Sequence, residues 1–415
     1  PEREERLLYT QDQLREEGVF DIEGISEHKP EPAEGLDVER VHFCFPDLAS
    51  VATRSHLVAA GGAITAARLV MEGAQDKSFA MVRPPGHHAH KVVHGSRGFC
   101  NVNNEAVMVE WIRETYGPKR IAIVDTDCHH ADGTQDIYWH DPDVLVISLH
   151  QDGRTMFPGT GFPKEFGGPK ALGRTINIPL PPLTGDEGYM QAMQRVVMPI
   201  LEDFAPDLVI NSAGQDNHFT DPITNMNLTA RGYGELNRLL DPDIAVLEGG
   251  YAIQGALPYV NLGIVLAMAG LEFEHVREPG LSRHDVAQDA RITDYIDSIL
   301  EPIASLYFDP PEEPNDGVFS GEWFIRQKRI WYDTDDIDER QTESLLLCDD
   351  CRGLVKYESR ADGGQVCLGV EVPVGGCERC RDQAYAITEE AQLKAGYRYI
   401  QLINRVDKEY MRYGF

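Results

Sequence analysis

The sequence predicts an α/β fold: one large domain built on a central, mostly parallel sheet flanked by helices, plus a small cysteine-bearing module at the C-terminal end. Three observations predict it. Short β-branched runs alternate with helix-like stretches through most of the 415 residues, the pattern of strands joined by helical crossovers. Polar clusters follow the predicted strands, where open α/β sheets place their ligands. Two Cys-x-x-Cys pairs stand apart, beyond a Pro-rich acidic stretch.

The predicted strands are Phe79–Val82, Arg120–Val124, Val144–Leu149, Thr175–Ile178, Asp207–Asn211 and Ile244–Leu247. Continuous apolar runs such as Ile121-Ala122-Ile123-Val124 suit strands buried on both faces. Helices are predicted over His56–Glu72, Asn104–Tyr116, Gly188–Phe204, Thr229–Leu240 and Ala256–Ala269. Five strand exits carry polar clusters: RPPGHHAH (Arg83–His90), DTDCHHADG (Asp125–Gly133), HQDG after the third strand, SAGQDNH (Ser212–His218) and EGGY (Glu248–Tyr251). They should converge on one rim. The acidic run from Asp309 to Asn315 reads as a linker. The expected domains are therefore residues 1–308, a connecting segment 309–344, and a zinc-ribbon-like module 345–415.

A net charge of −30 speaks against direct nucleic-acid binding, which needs basic surface. It fits solubility first and attraction of a cationic substrate second. The sequence has no apolar run near the ~18 residues of a membrane span, and no signal-peptide pattern. A cytoplasmic protein away from membranes is expected; whether it forms a homo-oligomer is left open. Eight cysteines in so long a chain are not a disulfide framework, and Cys44, Cys100, Cys128 and Cys367 read as packing residues in a reducing compartment.

DTDCHHADG packs three acids and two adjacent histidines into nine residues after a buried strand. Burying such charges is costly unless they are paired or bound to metal. In extended backbone Asp127 and His129 point to the same side, so both reach one point beyond the strand. Asp216, just past another strand, is the best third ligand. Three protein ligands leave a position open, the arrangement of a catalytic metal. Asp and His at strand ends also cap helices, but the company of RPPGHH and EGGY outweighs that reading. His87 and His88 can both line a pocket where Pro84-Pro85-Gly86 turns the chain. Asp125 and Asp132 suit carboxylates that fix the tautomer of a histidine.

RPPGHHA, GFCNVNNEAV (Gly98–Val107), DTDCHHADGTQ, FPGTG (Phe157–Gly161), SAGQD and LEGGY stand in the order and spacing of the histone deacetylase family. That family includes acetylpolyamine amidohydrolases and acetoin-utilisation proteins, and the resemblance covers roughly residues 1–275. It implies a single arginase-like α/β domain and a metal-dependent deacetylase. It implies a catalytic zinc on Asp127, His129 and Asp216. His88 backed by Asp132 would be the general base and acid, and His87 backed by Asp125 its electrostatic partner. Tyr251 would polarise the acyl carbonyl. Phe99 and Phe157, with Gly98 beside them, would wall an acyl-lysine tunnel. The resemblance also implies a potassium ion at Asp125, Ser148 and the main-chain carbonyls of Asp127, His129 and Leu149.

The chain departs from the family at Ala131, where Gly is commoner, and at Gln215 and Asn217 beside Asp216. Ile223 stands where many members of the family have Leu and polyamine-preferring ones can carry Glu. An apolar residue there gives a polyamine's ammonium no counter-charge, which favours acyl-lysine in proteins or peptides over acetylated polyamines or other small amines. A third reading, an inactive acyl-lysine binding module, would need a lost ligand or tyrosine; all are present. The opening PEREERL resembles the family's stretch after its first strand, so that strand is expected to be absent.

Cys348, Cys351, Cys377 and Cys380 match a structural zinc site of four thiolates. Redox use of the pairs is the alternative reading. The ending QLINRVDKEYMRYGF mixes aromatic and charged residues and could dock on another surface.

Overall fold

The computed structural model describes residues 1–283, 286–364, 366–394 and 396–414. Its centre is a six-stranded sheet of β1 (Ser78–Ala80), β2 (Ile121–Asp125), β3 (Val144–Gln151), β4 (Thr175–Leu180), β5 (Leu208–Ala213) and β6 (Ile244–Leu247). The spatial order is β1-β6-β5-β2-β3-β4, and every neighbouring pair is parallel. All six predicted strands are present. β4 runs two residues past its predicted end, through Pro179. It is an edge strand, where a missing N–H is tolerated.

Alternation along the strands builds two cores. Ile121, Ile123, Val144, Val146, Ile210 and Val246 face one layer of helices, including Arg54–Met71 and Asn104–Tyr116. Ala122, Val124, Leu145, Ile147 and Ile176 face the other, including Ala230–Leu240 and Leu257–Met268. A parallel sheet is stable because both faces are covered in this way. The helix predicted over Gly188–Phe204 is one helical run with a wide turn at Met193–Val197. Pro199 cannot donate to the carbonyl four residues back, so the ladder shifts register there.

The second body is larger than the expected module. A seven-stranded sheet comprises β7 (Val318–Ser320), β8 (Trp323–Tyr332), β9 (Ile337–Leu346), β10 (Val355–Ala361), β11 (Val366–Val372), β12 (Tyr397–Asn404) and β13 (Glu409–Tyr413). Its order is β13-β12-β11-β10-β9-β8-β7. All pairs are antiparallel except β11–β12, which is parallel and bridged by the helix Glu378–Leu393. Residues 309–344, expected as a connecting segment, thus contribute three strands. The acidic prolines end before them, and β8 pairs with β9 along its whole length. The C-terminal stretch expected to dock elsewhere forms β12 and β13 of this same sheet; its last residue, Phe415, lies outside the described residues.

The two bodies share an apolar seam of Phe43, Phe45 and Val92 against Phe324, Leu345, Val355 and Tyr357. Buried ion pairs ring it. Lys91 lies 3.0 Å from Glu371, and Arg405 joins Glu371 at 2.9 Å and Glu110 at 2.6 Å. Charges taken out of water this completely hold only when each finds its partner. Among the described residues no helix is long and apolar enough to cross a membrane.

Candidate active site

The loops after β1, β2, β5 and β6 meet beyond the carboxyl ends of the central sheet. Asp127, His129 and Asp216 are all buried, and one ligand atom from each lies within 4.8 Å of the others. His129 Nδ1 is 3.1 Å from Asp127 Oδ1 and 3.0 Å from Asp216 Oδ2. Backbone amides aim the carboxylates: Gly249 N–H donates to Asp127 at 2.7 Å and Cys128 N–H to Asp216 at 2.8 Å. A Cβ on Gly214 would stand 2.0 Å from Asp127 Oδ2, and one on Gly249 2.3 Å from Asp216 Oδ2, so only glycine fits at either place. Burial and the neighbouring Asp127 charge both push the Asp216 carboxyl up. Two buried carboxylates sharing one imidazole leave a local excess of negative charge. A divalent cation with N and O ligands satisfies that excess, and the donor set suits zinc.

The twin histidines have opposite environments. His87 Nδ1 sits 3.0 Å from Asp125 Oδ2; burial opposes its charge, but Asp127 and Asp125 together raise it to about 10. His88 Nδ1 sits 2.6 Å from Asp132 Oδ1, and burial beside charged His87 brings it down to about 3. His88 is thus the neutral ring, with Nε2 free to accept a proton. Burial opposes the charge on Asp132, yet Arg97, His88 and His90 hold it well below the usual carboxylate range.

Tyr251 closes another side, its ring 5.6 Å from Phe99. Burial pushes its phenol well above the ordinary value, so it stays a donor. Asp221 ties it to the rim, accepting the Tyr251 N–H at 2.8 Å and the Ile223 N–H at 3.0 Å. Phe157 stands edge-on to His88 at 5.1 Å, and a Cβ on Gly98 would strike the His88 ring at 2.4 Å. Ile223 is 37% exposed, at the surface end of this group. Asp125 and Ser148 are register partners on β2 and β3, and Leu149 follows, fully buried.

Two supporting residues differ in how far the sequence marks them: Glu248 stands in a polar cluster at a strand exit, and Arg6 carries no signal. Arg6, fully buried on the first helix, donates through Nε to the Gly250 carbonyl at 2.7 Å and also reaches the Glu248 carbonyl. Its guanidinium lies 5.1 Å from the centre of the Tyr251 ring. Glu248 accepts the Gly86 and His87 amides at 2.7 and 3.0 Å, fixing the histidine turn. Acidic and basic residues of an amphipathic helix or a glycine turn look alike in sequence whether they are solvated or buried.

The four module cysteines also converge, their sulfurs within 4.8 Å of one another. Cys348 and Cys377 are 3.7 Å apart and Cys351 and Cys380 3.5 Å, too long for disulfides. Tetrahedral zinc at ~2.3 Å from each thiolate puts sulfurs about 3.8 Å apart, so the donor set fits. The Cys380 backbone N–H draws the Cys377 thiol down to about 7.

The model of the histone deacetylase domain matches residues 44–262. A probable deacetylase of Archaeoglobus fulgidus is 48% identical over 307 residues, covering 67% of this chain and 84% of that one. A histone deacetylase-like amidohydrolase of Pseudomonas aeruginosa is 34% identical over 267 residues, covering 62% and 69%. The crystal structure of an HDA15 HD domain superposes with a TM-score of 0.65 at 28% identity, over 75% of this chain and 91% of that one. The chain is therefore a hydrolytic deacetylase and belongs to the histone deacetylase family.

Proposed function

We propose that the protein hydrolyses the acyl amide of acyl-lysine in proteins or peptides, with a catalytic zinc on Asp127, His129 and Asp216. The observation that carries this reading is the meeting of that donor set with a neutral histidine, His88, and a protonated tyrosine, Tyr251. The metal supplies polarisation of the carbonyl and an acidic water. His88 Nε2 takes the proton of the attacking water, while Asp132 holds Nδ1 and so fixes the tautomer. Tyr251 donates its O–H where negative charge develops on the carbonyl oxygen. His88 then returns the proton to the departing amine. His87, charged and anchored by Asp125, steadies that developing negative charge.

The apolar, half-exposed Ile223 supports lysine side chains of peptides over polyamines as substrates. The adjacency of Asp125 and Ser148 supports a potassium site completed by the main-chain carbonyls of Asp127, His129 and Leu149. The sulfur spacings support a structural zinc on the four module cysteines. The buried thiols of Cys44, Cys100 and Cys128 support a reducing, cytoplasmic setting. The test is kcat/KM for an acetyl-lysine peptide against an N-acetylpolyamine on one zinc-loaded preparation. Preference for the peptide is expected; preference for the polyamine would overturn the substrate assignment while leaving a deacetylase.

A further inference from the structure

The turn ahead of Phe99 is conformationally demanding. Gly98 has φ +52° and Phe99 φ +71°, two consecutive residues in the left-handed region, and the second carries a large side chain. Such a conformation persists only where its surroundings hold it. Locally the turn is closed by Arg97 and Cys100, each donating its N–H to the other's carbonyl at 3.0 and 2.8 Å. Two other amides find partners from the far end of the chain. Ser96 N–H donates to Asp335 Oδ2 at 2.6 Å, and Gly98 N–H donates to Asp333 Oδ1 at 2.8 Å. The fit is close, since a Cβ on Gly95 would meet Asp335 Oδ2 at 2.6 Å.

Asp333 and Asp335 belong to the turn between β8 and β9 of the second sheet. The same turn reaches Arg97. That guanidinium donates Nε and a terminal nitrogen to Asp132 Oδ2 at 2.8 and 2.7 Å, and its other terminal nitrogen to the Trp331 carbonyl. Its face lies 5.1 Å from the centre of the Phe157 ring. A second tie runs alongside: Lys328 of β8 pairs with Asp136, which lies 3.3 Å from His90, itself 3.2 Å from Asp132. Both strands of contact end on the carboxylate behind His88, and the first also reaches the Phe157 ring.

We propose that the Trp331–Asp335 turn of the second sheet is a positioning element of the deacetylase site. It holds the Ser96–Phe99 turn and Arg97 so that Phe99, Phe157 and the Asp132 carboxylate keep their places. The inference rests on the deacylase reading above. Asp333, Asp335 and Arg97 are positioning residues; none of them touches the reacting atoms.

The test uses the full chain, zinc-loaded, with Asp333→Ala/Asp335→Ala and the rescue pair Asp333→Asn/Asp335→Asn. An asparagine amide oxygen can accept the same N–H bonds. In the alanine pair kcat/KM for an acetyl-lysine peptide should fall about tenfold or more, carried mainly by KM as the Phe99 wall loosens. Backbone hydrogen exchange at Ser96 and Gly98 should quicken, while the asparagine pair returns both readings to near wild type. A loss smaller than tenfold, or an equal loss in the asparagine pair, overturns the proposal. Should the alanine pair fail to fold, Asp333→Ala alone is judged by the same two readings, and unchanged values overturn it. A wild type inactive on acyl-lysine peptides would sink the deacylase reading instead. The exchange measurement would then decide the positioning role, because it does not depend on turnover.

Discussion

Asp127, His129 and Asp216 are aimed at one point by backbone amides and by glycines that leave no room for a side chain. Cys348, Cys351, Cys377 and Cys380 approach one point from a strand end and a helix start, with the Gly353 N–H donating to the Cys351 sulfur. The first cluster offers three mixed donors on a scaffold with a large core of its own. The second offers four sulfurs inside a sheet whose helix packs on it through a small cluster including Leu368, Leu402 and Ala384. On the proposed reading, the contrast is between one centre preformed for chemistry and another whose metal would contribute folding energy.

Removing a ligand from each centre breaks the comparison most sharply. Asp216→Ala should lower kcat/KM by about 10³-fold with a melting temperature near wild type, because the buried charge it removes was itself costly. Cys348→Ser should act the other way round, lowering the melting temperature first and activity only as the protein unfolds. Thermal melts and turnover on the same preparations check both, and matching behaviour of the two variants would erase the distinction.

Tyr251→Phe sharpens it within the first centre. The phenol is a donor and not a ligand, so turnover should drop ~10²-fold with zinc content unchanged by elemental analysis. A smaller effect lies in the seam between the bodies. His90 is raised to about 9, burial opposing its charge and Asp132 and Asp136 favouring it. A histidine raised on folding contributes stability that is fully present below its unfolded value of ~6.5 and is lost as pH rises through about 9. Stability should therefore decline across that window by up to about 3 kcal/mol, and His90→Gln should flatten the slope in chemical denaturation.

Most of the six central strands were legible because they are β-branched runs bounded by turn residues, and the rim because its histidines and acids follow the strands directly. The outline of Ile121–Asp125 needed no knowledge of what packs against it. Residues 318–346 were harder. In β8, WFIRQKRIWY alternates only in part, since Arg326 and Lys328 are drawn to Glu343 and Asp136 inside the seam and mask the period of two. Arg6, Arg97 and Asp221 were illegible for a related reason. Each acts through a partner at least 30 residues away or a main-chain group, and nothing in local spacing marks such a pairing.

Ser96 and Gly98 donate to residues 239 and 235 positions later in the chain. During synthesis, then, the central sheet with Asp127, His129 and Asp216 emerges long before the turn that braces Ser96 and Gly98. Domains fold largely in the order they leave the ribosome. A nascent chain paused short of residue 333 would hold the cluster of Asp127, His129 and Asp216 without the two aspartates that accept the Ser96 and Gly98 amides.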